Sequence, residues 1–171
     1  MTATLAASVG MYAFWNCTAL ESISLPAVKT LGNYTFQACS RLATVSLPLA
    51  ETLNANVFGA CTSLVKISLP SAKTIGEYCF TGCTAITDIV LGGTTLTFGA
   101  YAFRNCRALR NFVLSNITAV PGFSNTIGYL FNNITFSQIT IYVPTAMVPV
   151  MQADSDWGLF TIDDVANYVP S

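Results

Sequence analysis

The chain has 171 residues, 53% of them hydrophobic, which is material for one domain with a sizeable core and excludes a disordered tail. Charged residues make up only 9%, and seven Lys plus Arg against eight Asp plus Glu leave a net charge of −1, so no field draws in nucleic acid or anionic lipid. Mean hydropathy is positive, yet no stretch approaches the roughly 18 consecutive apolar residues of a spanning helix, which argues against membrane insertion. The polar surface must therefore come from Ser, Thr and Asn, a neutral exterior that fits an extracellular or cell-surface location. No cationic segment with an apolar run precedes Ala7 as a secretion signal would require.

Residues 6–9 align with residues 27–30, so the sequence starts after the point where a preceding strand would lie, as in a fragment or a chain whose first coil is incomplete. From Gly10 a period is plain. Phenylalanine recurs at Phe14, Phe36, Phe58, Phe80 and Phe103, and cysteine at Cys17, Cys39, Cys61, Cys83 and Cys106, each series spaced 22, 22, 22 and 23. Three more columns share that register: Leu20, Leu42, Leu64, Ile86 and Leu109; Ile23, Val45, Ile67, Ile89 and Phe112; Leu25, Leu47, Leu69, Leu91 and Leu114. One coil reads Gly-x-x-x-Phe-x-x-Cys-x-x-Leu-x-x-Ile-x-Leu-Pro.

Within a coil, Phe36, Cys39 and Leu42 are three apart, so a tight helical turn places them on one inward face. Alternation from Val45 to Leu47 then marks a short strand, and strands of successive coils stack in parallel. Gly10, Gly32, Gly76 and Gly99 open the coils where the chain reverses, with Asn54 in the third, and a positive φ is expected there. Pro26, Pro48 and Pro70 follow the strands, where a missing N–H ends the ladder without orphaning a donor. A single coil cannot bury its own apolar face, so the pattern demands an array.

After Leu114 the register slips. Residues 116–124 read as an insertion, and a degenerate sixth coil follows, with a strand over 140–143, Pro144 matching Pro26, and Ile134 in place of the cysteine. From Thr145 the pattern stops. Residues 146–153 and 156–160 predict one or two short helices closing the stack, with Pro149 near a helix start and Trp157 and Phe160 plugging the last coil. The expected organisation is a repeat array over 1–144 and a C-terminal cap over 145–171.

The segment Leu42-x-x-Val45-x-Leu47 matches the leucine-rich repeat signature. Coils such as Gly32-Asn33-Tyr34-Thr35-Phe36-Gln37-Ala38-Cys39, with Val45-Ser46-Leu47-Pro48, resemble the BspA-like leucine-rich repeats of bacterial surface proteins and some protists. The likeness is strong over 9–114 and weaker to Pro144; Ile141-Tyr142-Val143-Pro144, with Trp157 beyond, is similar to the closing segment of such proteins from gut bacteria. The resemblance implies adhesion or host-factor binding. The expected fold class is α/β: a leucine-rich repeat solenoid, a right-handed coil with parallel strands on one face, short turns or 3-10 segments on the other, and a C-terminal helical cap.

Five of six cysteines share one column, and Cβ atoms projecting in parallel from adjacent strands stay farther apart than a disulfide prefers, so free buried thiols are expected. Cys79 and Cys83 are the pair to test against that. With no histidine, the commonest general base and metal ligand is missing, and neither catalysis nor a cofactor is expected. Asp154, Asp156, Asp163 and Asp164 lie close in sequence but lack the glycine and final glutamate of a Ca²⁺ loop, and read as solvated cap surface. Asn16-Cys17-Thr18, Asn33-Tyr34-Thr35, Asn116-Ile117-Thr118 and Asn133-Ile134-Thr135 match glycosylation sequons, but two of them span inward positions and chance accounts for them better.

The strand face is where a solenoid of this kind meets a partner. Its outward row is Ser22, Ser24, Thr44, Ser46, Lys66, Ser68, Asp88, Val90, Asn111, Val113, Thr140 and Tyr142. Small and weakly charged, the row suits either an ordinary solvated face or a shallow site for a protein or glycan. A non-catalytic adhesin-type module is the expectation; the alternative is a structural spacer or assembly subunit of a cell envelope or virion.

Overall fold

The computed structural model describes residues 7–124 and 126–170. Each coil holds a longer strand where apolar and polar residues alternate, and a two-residue strand after the next turn. The longer strands are β2 (Ser22–Ser24), β4 (Thr44–Ser46), β6 (Lys66–Leu69), β8 (Asp88–Leu91), β10 (Asn111–Leu114) and β12 (Thr140–Val143). Between them run β1 (Ser8–Val9), β3 (Thr30–Leu31), β5 (Thr52–Leu53), β7 (Thr74–Ile75), β9 (Thr97–Phe98) and β11 (Gly122–Phe123).

All pairings are parallel and join equivalent residues of adjacent coils, such as Lys66 with Asp88 and Ile67 with Ile89. The sequence reading anticipated one ribbed wall, and the described residues form two. The short strands form one ladder in the order β1-β3-β5-β7-β9-β11. The longer ones pair as β2-β4 and as β6-β8-β10-β12, with β4 lying beside β6. Two residues cannot display a period, which is why Thr30-Leu31 and Thr52-Leu53 read only as a polar residue followed by an inward one.

The core is a set of columns. Phe36, Phe58, Phe80 and Phe103 are fully buried, and from Phe14 onward neighbouring rings stack with centroids 5.1, 5.4, 5.3 and 5.7 Å apart. The N–H groups of Phe14, Phe36, Phe58 and Phe80 each donate to a carbonyl of the next coil at 2.7–2.9 Å. Inside the coil, Cys39 donates to the Phe36 carbonyl and Leu42 to that of Cys39, so spacing by three turns all three inward, as expected. These are separate turns rather than a 3-10 helix, because the backbone enters the left-handed region at Tyr34 (φ 60°) and again at Ala38 (φ 62°).

That placement corrects the reading of the glycine column. Positive φ falls at Tyr12, Tyr34, Asn56, Tyr78 and Tyr101, two residues past each coil-opening position, and not at Gly10, Gly32, Gly76 or Gly99. At Gly32, Gly76 and Gly99 glycine is required by space instead. A Cβ on Gly32 would lie 2.6 Å from the Met11 nitrogen, on Gly76 2.5 Å from the Asn54 carbonyl carbon, and on Gly99 2.4 Å from the Glu77 nitrogen. Asn54, standing in this column, donates its side-chain amide to the Leu31 carbonyl of the preceding coil at 2.8 Å.

The irregular stretch keeps the stack. Residues expected as an insertion carry β11, so the short ladder persists across it, and α1 (Ile127–Leu130) replaces the usual turn. Phe131 joins the ring column 5.4 Å from Phe103, and Ile134 takes the cysteine's position, donating to the Phe131 carbonyl as Cys106 does to Phe103. Beyond β12, a 3-10 turn (Thr145–Met147) leads into α2 (Val148–Ala153), with Pro149 in its first turn where its missing N–H costs nothing. A second 3-10 turn, Trp157–Leu159, seats Trp157 with no exposed surface among Phe98, Phe112, Phe123 and Phe131; its indole donates to the Pro121 carbonyl at 3.3 Å. Phe160 packs on Phe131 and Phe136. The closing part is not wholly helical, since β13 (Thr161–Asp164) adds an unanticipated strand to β12. Four residues with one buried side chain gave no alternation to read.

Candidate functional site

Register places the outward row on successive rungs: Ser22, Thr44 and Ser24, Ser46 on β2 and β4, then Lys66-Asp88-Asn111-Thr140 and Ser68-Val90-Val113-Tyr142 across β6 to β12. Rungs of a parallel ladder are about 4.8 Å apart. Ser22, Ser24, Thr44, Ser46, Lys66 and Ser68 are all exposed, forming an open, hydroxyl-rich strip with one cation.

The other half of the row is covered. Asp88 is 1% exposed and Val113 1%, while Val90, Asn111, Thr140 and Tyr142 are half-buried. The cover is the end of the chain, where a 3-10 turn over Val165–Asn167 leads Tyr168 back across the strands. Its ring packs 5.3 Å from that of Tyr142 on β12, and its hydroxyl donates to Asp88 Oδ1 on β8 at 3.0 Å. One side chain thus bridges β10, which lies between them, and Val113 is shielded below. A carboxylate needs donors when taken out of water, and Asp88 has them: Asn111 Nδ2 at 2.8 Å and Thr87 Oγ1 at 2.6 Å in addition to the phenol. Burial and the adjacent Asp88 carboxylate push the Tyr168 hydroxyl up to about 12. Nothing in the sequence pattern ties Tyr168 to Asp88, 80 residues away.

The model for the BspA type leucine rich repeat region matches six copies in this chain, over residues 7–123 and 73–145. The chain belongs to this family. Among solved structures it is similar to a Treponema pallidum leucine rich repeat protein, at 20% identity and TM-score 0.56 over 89% of this chain and 78% of that one. It is also similar to a leucine rich cell surface protein of Faecalibacterium prausnitzii, at 22% identity and TM-score 0.59 over 75% of this chain, which spans only 36% of that protein. At such identities the likeness shows the fold alone. Comparison with curated protein sequences gave no match.

The cysteines of these BspA-type coils are structural in a specific way. All six are free thiols, Cys17 exposed and the others buried, Cys79 and Cys83 included. Four donate to the carbonyl of the phenylalanine one coil back: Cys39 to Phe14 at 3.0 Å, Cys61 to Phe36 at 3.2 Å, Cys83 to Phe58 and Cys106 to Phe80 at 3.1 Å. Burial pushes the Cys61 and Cys106 thiols up to about 12, which keeps them protonated donors rather than nucleophiles. Among the described residues, no three His, Cys, Asp or Glu side chains are grouped to share a metal ion. Three of the cap aspartates serve the backbone instead: Asp154 accepts from Asp156 and Trp157, Asp163 from Asp164, and Asp164 from Ala166. Three sequon asparagines tie coils together: Asn33 accepts from the Ala55 N–H, Asn116 donates to the Gly92 carbonyl and Asn133 to the Asn105 side chain. A shallow groove beside the short ladder, lined by Thr97, Phe98, Gly122, Phe123 and Ser124, offers two hydroxyls and no charge. Among the described residues, no helix is long and apolar enough to cross a membrane.

Proposed function

We propose that this chain is a non-catalytic interaction module of a surface or secreted adhesin-type protein, with residues 1–144 as the repeat array and 145–171 as the cap. The observation that carries the reading is the open strip of Ser22, Ser24, Thr44, Ser46, Lys66 and Ser68, six exposed side chains on neighbouring strands, β2 paired in register with β4 and β6 lying beside β4. Repeated hydroxyls of low charge suit hydrogen bonding to a glycan or to an extended protein segment, and ladder spacing pre-pays the ordering that binding requires. The cell-surface description of the F. prausnitzii relative supports the location. Lack of histidine and the protonated, buried thiols support a role without catalysis.

The test pairs the parent protein with a Ser46→Arg, Ser68→Arg variant on arrayed glycans and immobilised extracellular-matrix proteins. Both positions are exposed, so the melting temperature stays put while capture by the variant is lost. Equal capture by the two proteins removes the strip from consideration.

The alternative is a structural spacer or assembly subunit of a cell envelope or virion, and ordered self-association in light scattering would select it.

A further inference from the structure

The polar site around Asp88 outlasts the tail that covers it. Thr87, next to β8, and Asn111 on β10 still address the carboxylate if residues 165–170 move away; the phenol of Tyr168 is a donor that can leave. Among the described residues, the tail's other side-chain bonds are local. Ala166 N donates to Asp164 and the Asn167 side chain to Asp163, both local bonds, while Ala166 and Asn167 are exposed and Val169 is 78% exposed. Tyr168 therefore sits on the binding face as a ligand would, its ring against Tyr142 and its hydroxyl on a buried carboxylate.

We propose that Tyr168 is a tethered, replaceable ligand, and that the site formed by Asp88, Asn111 and Tyr142 recognises a tyrosine presented by an extended segment of a partner protein. This rests on the reading of the strand face as the interaction surface. A planar ring with a donor at its far end is the shape the site already holds, which favours a tyrosine over a sugar. A partner strand docked there continues onto the open strip at β6 and β4, burying Ser68 and Ser46 in turn. Because the tail competes from the same chain at an effective concentration of about millimolar, an external segment binds weakly until the tail is displaced.

The probe is a dye-labelled peptide of residues 163–171, and the same peptide with its tyrosine changed to phenylalanine, titrated by fluorescence anisotropy into the whole chain and into its Tyr168→Ala variant. The variant is expected to bind the tyrosine peptide about tenfold or more tighter than the parent, and the phenylalanine peptide about tenfold more weakly than the tyrosine one. Equal binding to parent and variant, or indifference to the peptide's hydroxyl, overturns the proposal. Should Tyr168→Ala melt without cooperativity, Tyr168→Phe keeps the ring and removes the hydroxyl; it must still bind tighter than the parent, and if it does not the proposal fails. Neither peptide measurement uses Ser46 or Ser68, so a failure here is distinct from a failure of the open strip on arrays.

Discussion

A methyl group on Gly76 would lie 2.5 Å from the carbonyl carbon of Asn54, inside the backbone of the neighbouring coil, whereas one on Gly10 meets nothing within 4 Å. The same substitution in one column therefore has two outcomes. Gly76→Ala is expected to cost about 3 kcal/mol and Gly10→Ala less than about 0.5, read from urea midpoints at unchanged slope. The column was visible in the sequence, but its cause was misread: conformational freedom is needed at Tyr34 and Tyr78, and clearance is needed at Gly32 and Gly76. Thiols make a second residue-scale case. In the native protein Cys17 should react with a disulfide reagent near neutral pH while the five buried cysteines stay silent until denaturant is added; rapid native labelling of Cys61 or Cys83 would contradict the burial. Glu51 supplies the pH dependence. The hydrogen bond and charge of Lys73, reinforced by Lys29, hold its carboxyl below the ordinary 4.5, so the pairing is intact above that value and is lost as pH falls through the depressed one. Carboxyl NMR should show Glu51 titrating low, and Lys73→Ala should move it back up.

At the scale of elements, the ring column is where packing concentrates. Phe58 has a stacked ring on each side and no exposed surface, so Phe58→Ala leaves a cavity in two interfaces and should cost about 3–5 kcal/mol. Phe14 has a ring on one side only and is half-exposed, and its truncation should cost clearly less; comparable denaturation midpoints for the two variants would mean the column does not act coil by coil. The longer strands were legible because three or four alternating residues declare an inward face, as in Lys66–Leu69. β13 was not, since Thr161-Ile162-Asp163-Asp164 buries one side chain and owes its extended form to the open edge of β12.

For the molecule as a whole, stability should be graded along the axis. A solenoid coil is held by its neighbours, and the columns of the first described coil are half-open, while the last is sealed by Trp157 and Phe160. Amide exchange should therefore be fastest at the N–H groups of Phe14 and Leu25, which bond to the second coil, and slowest around Phe58 and Phe80; a uniform rate along the axis would show that the stack opens as one unit. By itself the sequence determined the coil: repeated Phe, Cys and Leu at a constant period can bury their faces only by stacking, so the array and its inward columns follow from spacing. Tertiary structure alone decided the second ladder and the division of the binding row into an open half and a covered one. Two-residue strands carry no period, and a contact such as Tyr168 with Asp88 depends on where the end of the chain returns in space, which no local pattern encodes.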